Sequence, residues 1–227
     1  MKKFIYSLLV LVLLTTGLLL VFNKQVSYYL VDQTSESYQV SNVTKKEIKA
    51  NKQKEATFNF AQVEPISSEA IAKEQLSNQK TELPVIAGVA VPSVDINLPI
   101  FKGLSNENLL YGAGTLTESQ KMGEKNYALA SHRMNDPQLL FTPLERVSLG
   151  DKIYLTDLTD VYIYQTTVKK RVEATETAVL EEQPQSPLVT LITCGEMGGV
   201  TRIVVQGELI ETKPIQETTV FTAEENN

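Results

Sequence analysis

The pattern of hydrophobic and polar positions divides the chain of 227 residues into four parts. Residues 4–22 are almost wholly apolar, about the length that crosses the hydrocarbon core of a bilayer. Residues 23–80 are polar, residues 81–212 contain short β-rich runs separated by turn residues, and residues 213–227 end in a polar tail. This order predicts a transmembrane anchor over residues 1–22, a polar extracellular stalk, one folded domain and a disordered tail.

Charged residues beside the apolar run predict its orientation. Lys2 and Lys3 precede it, and the excess of positive charge on the cytoplasmic side of membranes predicts a cytoplasmic amino terminus with the rest of the chain outside. An uncleaved anchor is favoured over a cleaved signal peptide because no Ala-x-Ala site follows. We therefore expect a single-pass protein of the cell membrane that contacts membrane lipid through residues 4–22.

Alternation of apolar and polar residues indicates strands in the folded domain. Val94, Ile96, Leu98 and Ile100 alternate with more polar positions, which is the period of a half-buried strand. Further strands are predicted over residues 127–130, 152–156, 161–172, 188–193 and 202–210, and short helices over 106–111 and 143–147. Many short strands with few helices predict a mostly β domain that closes, or nearly closes, into a barrel.

Composition excludes several functions. A formal charge of −6 and a pI near 5.0, without clustered Lys or Arg, argue against binding of nucleic acid. A single Cys and a single His exclude a disulfide framework and the usual zinc sites. A lone free thiol in an exported chain is unusual and points to chemistry at that residue.

Three residues distant in sequence have the side chains of a thiol enzyme. Cys194 ends a predicted strand, Arg202 begins the next strand after a glycine-bearing connection, and His132 ends the run that begins at residue 127. An imidazole can take the thiol proton and return it to a leaving amine, and a guanidinium can stabilise an oxyanion. Taken singly, each has an ordinary explanation: a buried small Cys, a surface His, or an Arg202 paired with Glu196.

At these positions the sequence resembles class A sortases, the housekeeping transpeptidases of Gram-positive bacteria. Thr190-Leu-Ile-Thr-Cys194 matches the family's Thr-Leu-x-Thr-Cys signature, and the segments at 108–115, 126–132 and 140–144 resemble family segments in the same order. The likeness covers residues 83–211. It implies an eight-stranded sortase-type β-barrel with short helices.

The resemblance also implies the reaction. Cys194 would attack the Thr-Gly bond of a Leu-Pro-x-Thr-Gly sorting signal on a surface-protein precursor, and the amine of a lipid II type cell-wall precursor would resolve the thioester. His132, Cys194 and Arg202 would be catalytic. Asp136 is expected to be structural rather than the third member of a triad.

A transferase must keep water from its thioester, so we expect the connections 181–187 and 195–201 to border the substrate groove. Ser131 stands where the family commonly has Gly before its catalytic His. The residues that we expect to bind substrate are Ser131, Glu182, Leu188, Thr193, Met197, Gly199 and Val200.

No cofactor is expected. Some relatives in the family bind calcium through acidic loops, and here Glu118, Glu124, Glu181 and Glu182 lie in similar regions. Several neighbouring carboxylates of those relatives are missing, and calcium prefers six to eight oxygen ligands, so calcium is possible but not favoured. Two other functions stay open: a hydrolytic cysteine peptidase on the same scaffold, and a non-catalytic, membrane-tethered β-domain.

Overall fold

The computed structural model describes residues 2–63, 82–176, 178–181, 186–196 and 199–221. These residues form eight strands that close into one barrel. The strands are β1 Val85–Val91, β2 Ile96–Phe101, β3 Ala113–Thr115, β4 Asn126–Ala130, β5 Lys152–Thr156, β6 Asp160–Glu173, β7 Leu188–Cys194 and β8 Thr201–Pro214. Around the barrel they run in the order β1, β2, β3, β4, β7, β8, β6, β5, and β5 pairs with β1 to close it.

Two of the strand pairs are parallel, β2 with β3 and β4 with β7, and the others are antiparallel. The barrel interior is filled by side chains that are almost fully buried, including Phe101, Phe141, Leu129, Leu191 and Tyr164. The predicted closed β-barrel of eight strands is therefore confirmed.

Six of the strands were predicted, and β5 has the predicted bounds. β1 was not predicted, because its sequence Val-Ile-Ala-Gly-Val-Ala-Val is buried on both faces and shows no alternation. β3 has three residues, which is too few for a periodic signal. The predicted helix at 106–111 is α4 Asn106–Tyr111, whereas the one at 143–147 is a 3-10 helix over Thr142–Arg146.

The segment predicted to be a stalk packs against the barrel instead. The segment contains helices α2 Asn23–Ser37 and α3 Lys45–Asn51. It buries Val31 of α2, Val40 of the connection between the helices and Ile48 of α3, and each of these is at most 2% exposed. A stalk that holds the domain away from the membrane is therefore wrong for residues 23–51. Residues 64–80 of the predicted stalk lie outside the described residues.

Gly88 of β1 allows the amino-terminal segment to pack closely against the barrel. A Cβ on Gly88 would lie 2.6 Å from Cγ1 of Val40, so only glycine leaves room for that side chain. Val40 and Ile48 form a cluster with Ala90, Val161 and other residues on the outside of the barrel. The amino-terminal segment thus covers an apolar patch that the barrel would otherwise expose.

The predicted disordered tail is partly folded. β8 continues to Pro214, a 3-10 helix follows over Ile215–Glu217, and Phe221 is 5% exposed in the cluster with Val161 and Ile163. The prediction of a disordered tail is therefore wrong for residues 213–221. Few residues of the tail are apolar, but burial of the Phe221 ring holds it against the barrel. Residues 222–227 lie outside the described residues.

The first helix is α1 Lys2–Val21. Its large apolar side chains from Phe4 to Leu14 are all more than half exposed. In the part of the chain that the structure describes, no helix combines the length and the apolar character needed to cross a membrane.

Candidate active site

The parallel pairing of β4 with β7 brings His132 and Cys194 to the same end of the barrel. Ala130 lies opposite Ile192 in this register, and the backbone N–H of Ser131 donates to the carbonyl of Ile192 at 3.2 Å. His132 and Cys194 are each two residues beyond that last pair. Two strands that are distant in sequence therefore bring the backbone of His132 and that of Cys194 to neighbouring positions at one end of the barrel.

The antiparallel pairing of β7 with β8 adds the guanidinium. Cys194 and Arg202 are direct partners in this register. A Cβ on Gly199 would lie 3.6 Å from Cys194 Sγ and 3.3 Å from Arg202 Nη1, so the thiol and the guanidinium border the same point in space. The structure thus brings together the strand ends that carry all three catalytic candidates, whose roles stay predictions.

Burial determines the protonation of His132. His132 is only 8% exposed, and this desolvation lowers the pKa of its imidazole from 6.5 to about 4. The ring is therefore neutral near pH 7 and has a nitrogen available to accept a proton. Among the described residues, no side chain hydrogen-bonds to this ring. Asp136 instead accepts the backbone N–H of Gln138 at 2.9 Å, which agrees with a structural role.

Arg202 is held by backbone carbonyls. Its Nη1 donates to the carbonyl of Gly199 at 2.6 Å and to that of Thr201 at 2.9 Å. A purely structural role for Arg202 would pair it with Glu196. Glu196 instead forms an ion pair with Arg171, at 3.3 Å. Among the described residues no carboxylate forms an ion pair with Arg202, so its guanidinium is oriented by carbonyl groups, which suits a group that stabilises an oxyanion.

The guanidinium of Arg202 lies over the ring of Phe60. The guanidinium carbon of Arg202 lies 5.8 Å from the centroid of the Phe60 ring, within cation–π distance. Sequence reasoning missed Phe60, because two aromatic residues, Phe58 and Phe60, in a polar segment carry no signal that either of them reaches a residue on β8.

The segment around Phe60 follows an apolar surface beside β4. The backbone N–H of Leu104 donates to the carbonyl of Thr57 at 2.7 Å, and Val63 packs against the cluster of Leu104, Leu109 and Ala130. Ala130 is the last residue of β4, two residues before the imidazole. Residues 57–63 therefore line the approach to the candidate active site.

Three of the predicted substrate-binding residues lie on β7 or beside it. Ser131 is buried, and its hydroxyl donates to the carbonyl of Gly112 at 2.6 Å. Thr193 is 2% exposed, and within the described chain its Oγ1 has no hydrogen-bond partner. Leu188 lies at the opposite end of β7 from Cys194. Ser131 thus anchors the turn before His132, while Leu188 is a full strand length from the thiol.

The other predicted substrate-binding residues belong to the connections at the strand ends. Gly199 has φ of +69°, a left-handed conformation that favours glycine, and Val200 is 67% exposed. Glu182 and Met197 lie outside the described residues. The substrate-binding roles of all these residues stay predictions.

Two of the four acidic residues considered as calcium ligands form ion pairs, and Glu182 lies outside the described residues. Glu118 pairs with Lys102 at 3.4 Å, and Glu124 pairs with Lys121 at 3.7 Å. No cluster of three or more His, Cys, Asp or Glu side chains suited to a metal ion occurs within the described ranges.

Comparison with known proteins agrees with this geometry. The sortase domain family model matches residues 89–210. Sortase A from Streptococcus agalactiae serotype III (strain NEM316) is 43% identical over 215 residues, which cover 92% of this chain and 86% of that protein. Sortase A from Listeria monocytogenes serovar 1/2a (strain ATCC BAA-679 / EGD-e) is 40% identical over 210 residues, covering 90% and 91%.

A solved structure of sortase A from Listeria monocytogenes superimposes with a TM-score of 0.59 at 42% identity, and covers 62% of this chain and 99% of that one. The chain therefore belongs to the sortase family. Its similarity to two sortase A proteins over most of its length makes it a class A sortase, and hence an enzyme of the cysteine transpeptidase type.

Proposed function

We propose that the enzyme cleaves a Leu-Pro-x-Thr-Gly sorting signal between Thr and Gly and transfers the acyl group to the amine of a cell-wall precursor of the lipid II type. The observation that carries the proposal is the strand register, in which β4 and β8 bring His132 and Arg202 to the two sides of Cys194. A thiol, a neutral base and an oriented cation are the groups that acyl transfer requires.

The acylation step uses these groups in turn. Neutral His132 takes the proton of the Cys194 thiol, and the sulfur attacks the carbonyl carbon of the substrate threonine. The negative charge that develops on the carbonyl oxygen faces the Arg202 guanidinium. The C–N bond to glycine then breaks, the leaving amine receives the proton from His132, and a thioester on Cys194 remains.

The second step determines whether the enzyme is a transferase or a hydrolase. The acceptor amine attacks the thioester carbonyl, His132 takes the amine proton, and the proton returns to the departing sulfur. Burial of His132 supports transfer, because water has little access to the base that would activate it for attack on the thioester.

Membrane anchorage through residues 4–22 is part of the proposal. The exposed apolar side chains of α1 support it, since a surface of this kind is unstable in water, and the positive charges of Lys2 and Lys3 support a cytoplasmic amino terminus. The barrel then faces the cell wall, where surface-protein precursors and the acceptor amine are found together.

We also propose that the reaction needs no calcium. Lys102 and Lys121 already neutralise the carboxylates of Glu118 and Glu124, which supports a loop that holds its shape without a cation.

The test is mass spectrometry of the full chain in detergent after incubation with a Leu-Pro-x-Thr-Gly peptide. We expect an acyl adduct on Cys194, absent in Cys194→Ala, that is converted to a ligated product when triglycine is added. Release of the free acid alone, even at high triglycine, would identify a hydrolase. A chain that forms neither adduct nor product would be a non-catalytic domain, and the proposal would be wrong.

A further inference from the structure

A series of ion pairs connects the two loops that leave β4 and β7. Arg133, the residue after His132, donates to Glu145 at 2.7 Å. Glu145 also accepts from Arg171 of β6 at 3.2 and 3.3 Å, and Arg171 pairs with Glu196 at 3.3 Å. Glu196 lies in the connection between β7 and β8. The contacts are therefore continuous from the residue after the imidazole to the loop after the thiol.

Glu196 is bound by more than charge. Its Oε1 accepts the backbone N–H of Thr201 at 2.6 Å, and its Oε2 accepts the Thr201 hydroxyl. These hydrogen bonds, from the Thr201 side chain first and its backbone second, hold the pKa of Glu196 below its ordinary value. The Thr201 hydroxyl in turn accepts from Arg171 at 3.2 Å. The ionised carboxylate thus joins the beginning of the β7–β8 connection, at Glu196, to Thr201 at its end.

Thr201 also contacts Arg202 directly and Cys194 through its neighbour Gly195. Its carbonyl accepts from Arg202 Nη1 at 2.9 Å and from the backbone N–H of Gly195, the residue after Cys194, also at 2.9 Å. A Cβ on Gly195 would collide with the Thr201 hydroxyl and with Arg171 Nη1. The contacts around Thr201 therefore require glycine at position 195 and tie Cys194, through its neighbour Gly195, to Arg202.

We infer that Glu196 is a positioning residue, which acts through Thr201 to hold the Arg202 guanidinium beside the carbonyl that Cys194 attacks. This inference rests on the proposed function. Half-exposed ion pairs contribute little to stability, so we expect a small effect on folding. Catalysis is more sensitive, because a misplacement of about 1 Å in a reacting group can lower a rate by roughly a hundredfold.

The test compares Glu196→Gln and Glu196→Ala with Glu176→Gln in the full chain. Glu176→Gln is the matched control, because it breaks the Lys170–Glu176 pair, which joins side chains of similar exposure at 3.2 Å. With a Leu-Pro-x-Thr-Gly peptide, we expect Glu196→Ala to lower kcat about tenfold and Glu196→Gln by less, since glutamine keeps one acceptor. KM should stay within about twofold, and all three melting temperatures should agree.

Wild-type kcat in both Glu196 variants would overturn the inference, as would a loss of kcat that merely follows a loss of melting temperature. A second measurement separates this inference from the proposed function. Should the wild-type chain fail to cleave the peptide, the proposed function fails, and hydrogen exchange at the Thr201 amide still tests the restraint. Faster exchange in Glu196→Ala than in Glu176→Gln supports it, and equal exchange overturns it.

Discussion

The ring of Phe60 lies over the guanidinium of Arg202, with 5.8 Å between the guanidinium carbon and the ring centroid. Phe60 belongs to a 3-10 helix over Phe60–Gln62, far from the barrel strands in sequence. The amino-terminal segment therefore touches a catalytic candidate directly. Guanidinium N–H groups donate in their own plane, so this contact restricts how the cation can turn while its N–H edges stay free to donate.

We expect Phe60→Ala to lower kcat/KM for a Leu-Pro-x-Thr-Gly peptide, because the ring helps to orient the Arg202 guanidinium. A half-exposed cation–π contact of about 0.5–1 kcal/mol corresponds to a loss of about two- to fivefold. Gln62→Ala, an exposed position in the same 3-10 helix, is the control and should leave kcat/KM unchanged. Higher activity in Phe60→Ala would instead show that the ring obstructs the substrate.

Arg202→Ala should lower kcat by about a hundredfold to a thousandfold, the range seen when one oxyanion donor is removed. Arg202→Lys should fall between this variant and the wild type, because lysine keeps the charge but loses the planar fork that binds the carbonyls of Gly199 and Thr201. Peptide cleavage measures kcat, and alkylation of Cys194 by iodoacetamide checks that the thiol stays accessible. A wild-type kcat in Arg202→Ala would contradict the oxyanion role.

The catalytic end of the barrel was predictable because its signals are local. β7 is a continuous run of apolar and β-branched residues that ends at Cys194, and β8 begins one short connection later, so their pairing follows from chain length alone. The position of His132 was less certain from spacing. It depends on the parallel pairing of β4 with β7, which no local pattern reveals and which the family resemblance implied.

The amino-terminal packing was not predictable, because its apolar anchors are sparse. Val40 and Ile48 stand among polar residues, and Val31 ends a run of only four apolar or aromatic residues. Each of the three packs against strands that lie far away in sequence. The same holds for Phe221 at the other end of the described chain. The hydrogen bonds between Glu196 and Thr201 were not predictable either, because they require a loop conformation that forms only in the folded barrel.

The depressed pKa of His132 predicts a loss of stability in acid. The folded state takes up this proton only near pH 4, while the unfolded state takes it up near pH 6.5, so the unfolded chain binds more protons between these values. The free energy of unfolding should therefore fall by up to about 3 kcal/mol as the pH drops from about 6.5 to about 4. This group should cause no further loss below about pH 4.

Urea unfolding of the full chain in detergent, measured from pH 7 to pH 3.5, checks this prediction. Carboxylates also titrate in this range, so the comparison is with His132→Asn, which keeps their contribution and removes that of the imidazole. The wild type should show the steeper dependence on pH. Parallel curves for the two proteins would mean that His132 is protonated in the folded state without cost.

Gly88→Ala tests whether the amino-terminal segment stabilises the barrel. The added methyl would lie 2.6 Å from Val40 Cγ1, so the side chain and its segment must move, and overpacking of this kind costs about 1–3 kcal/mol. Val40→Ala in the same chain makes room for the methyl, so the double variant should be less destabilised than the sum of the two single variants. Thermal unfolding gives the stabilities, and limited proteolysis of residues 23–51 reports release of the segment. Additive effects with no change in proteolysis would mean that these residues behave as the spacer that their polar sequence suggests.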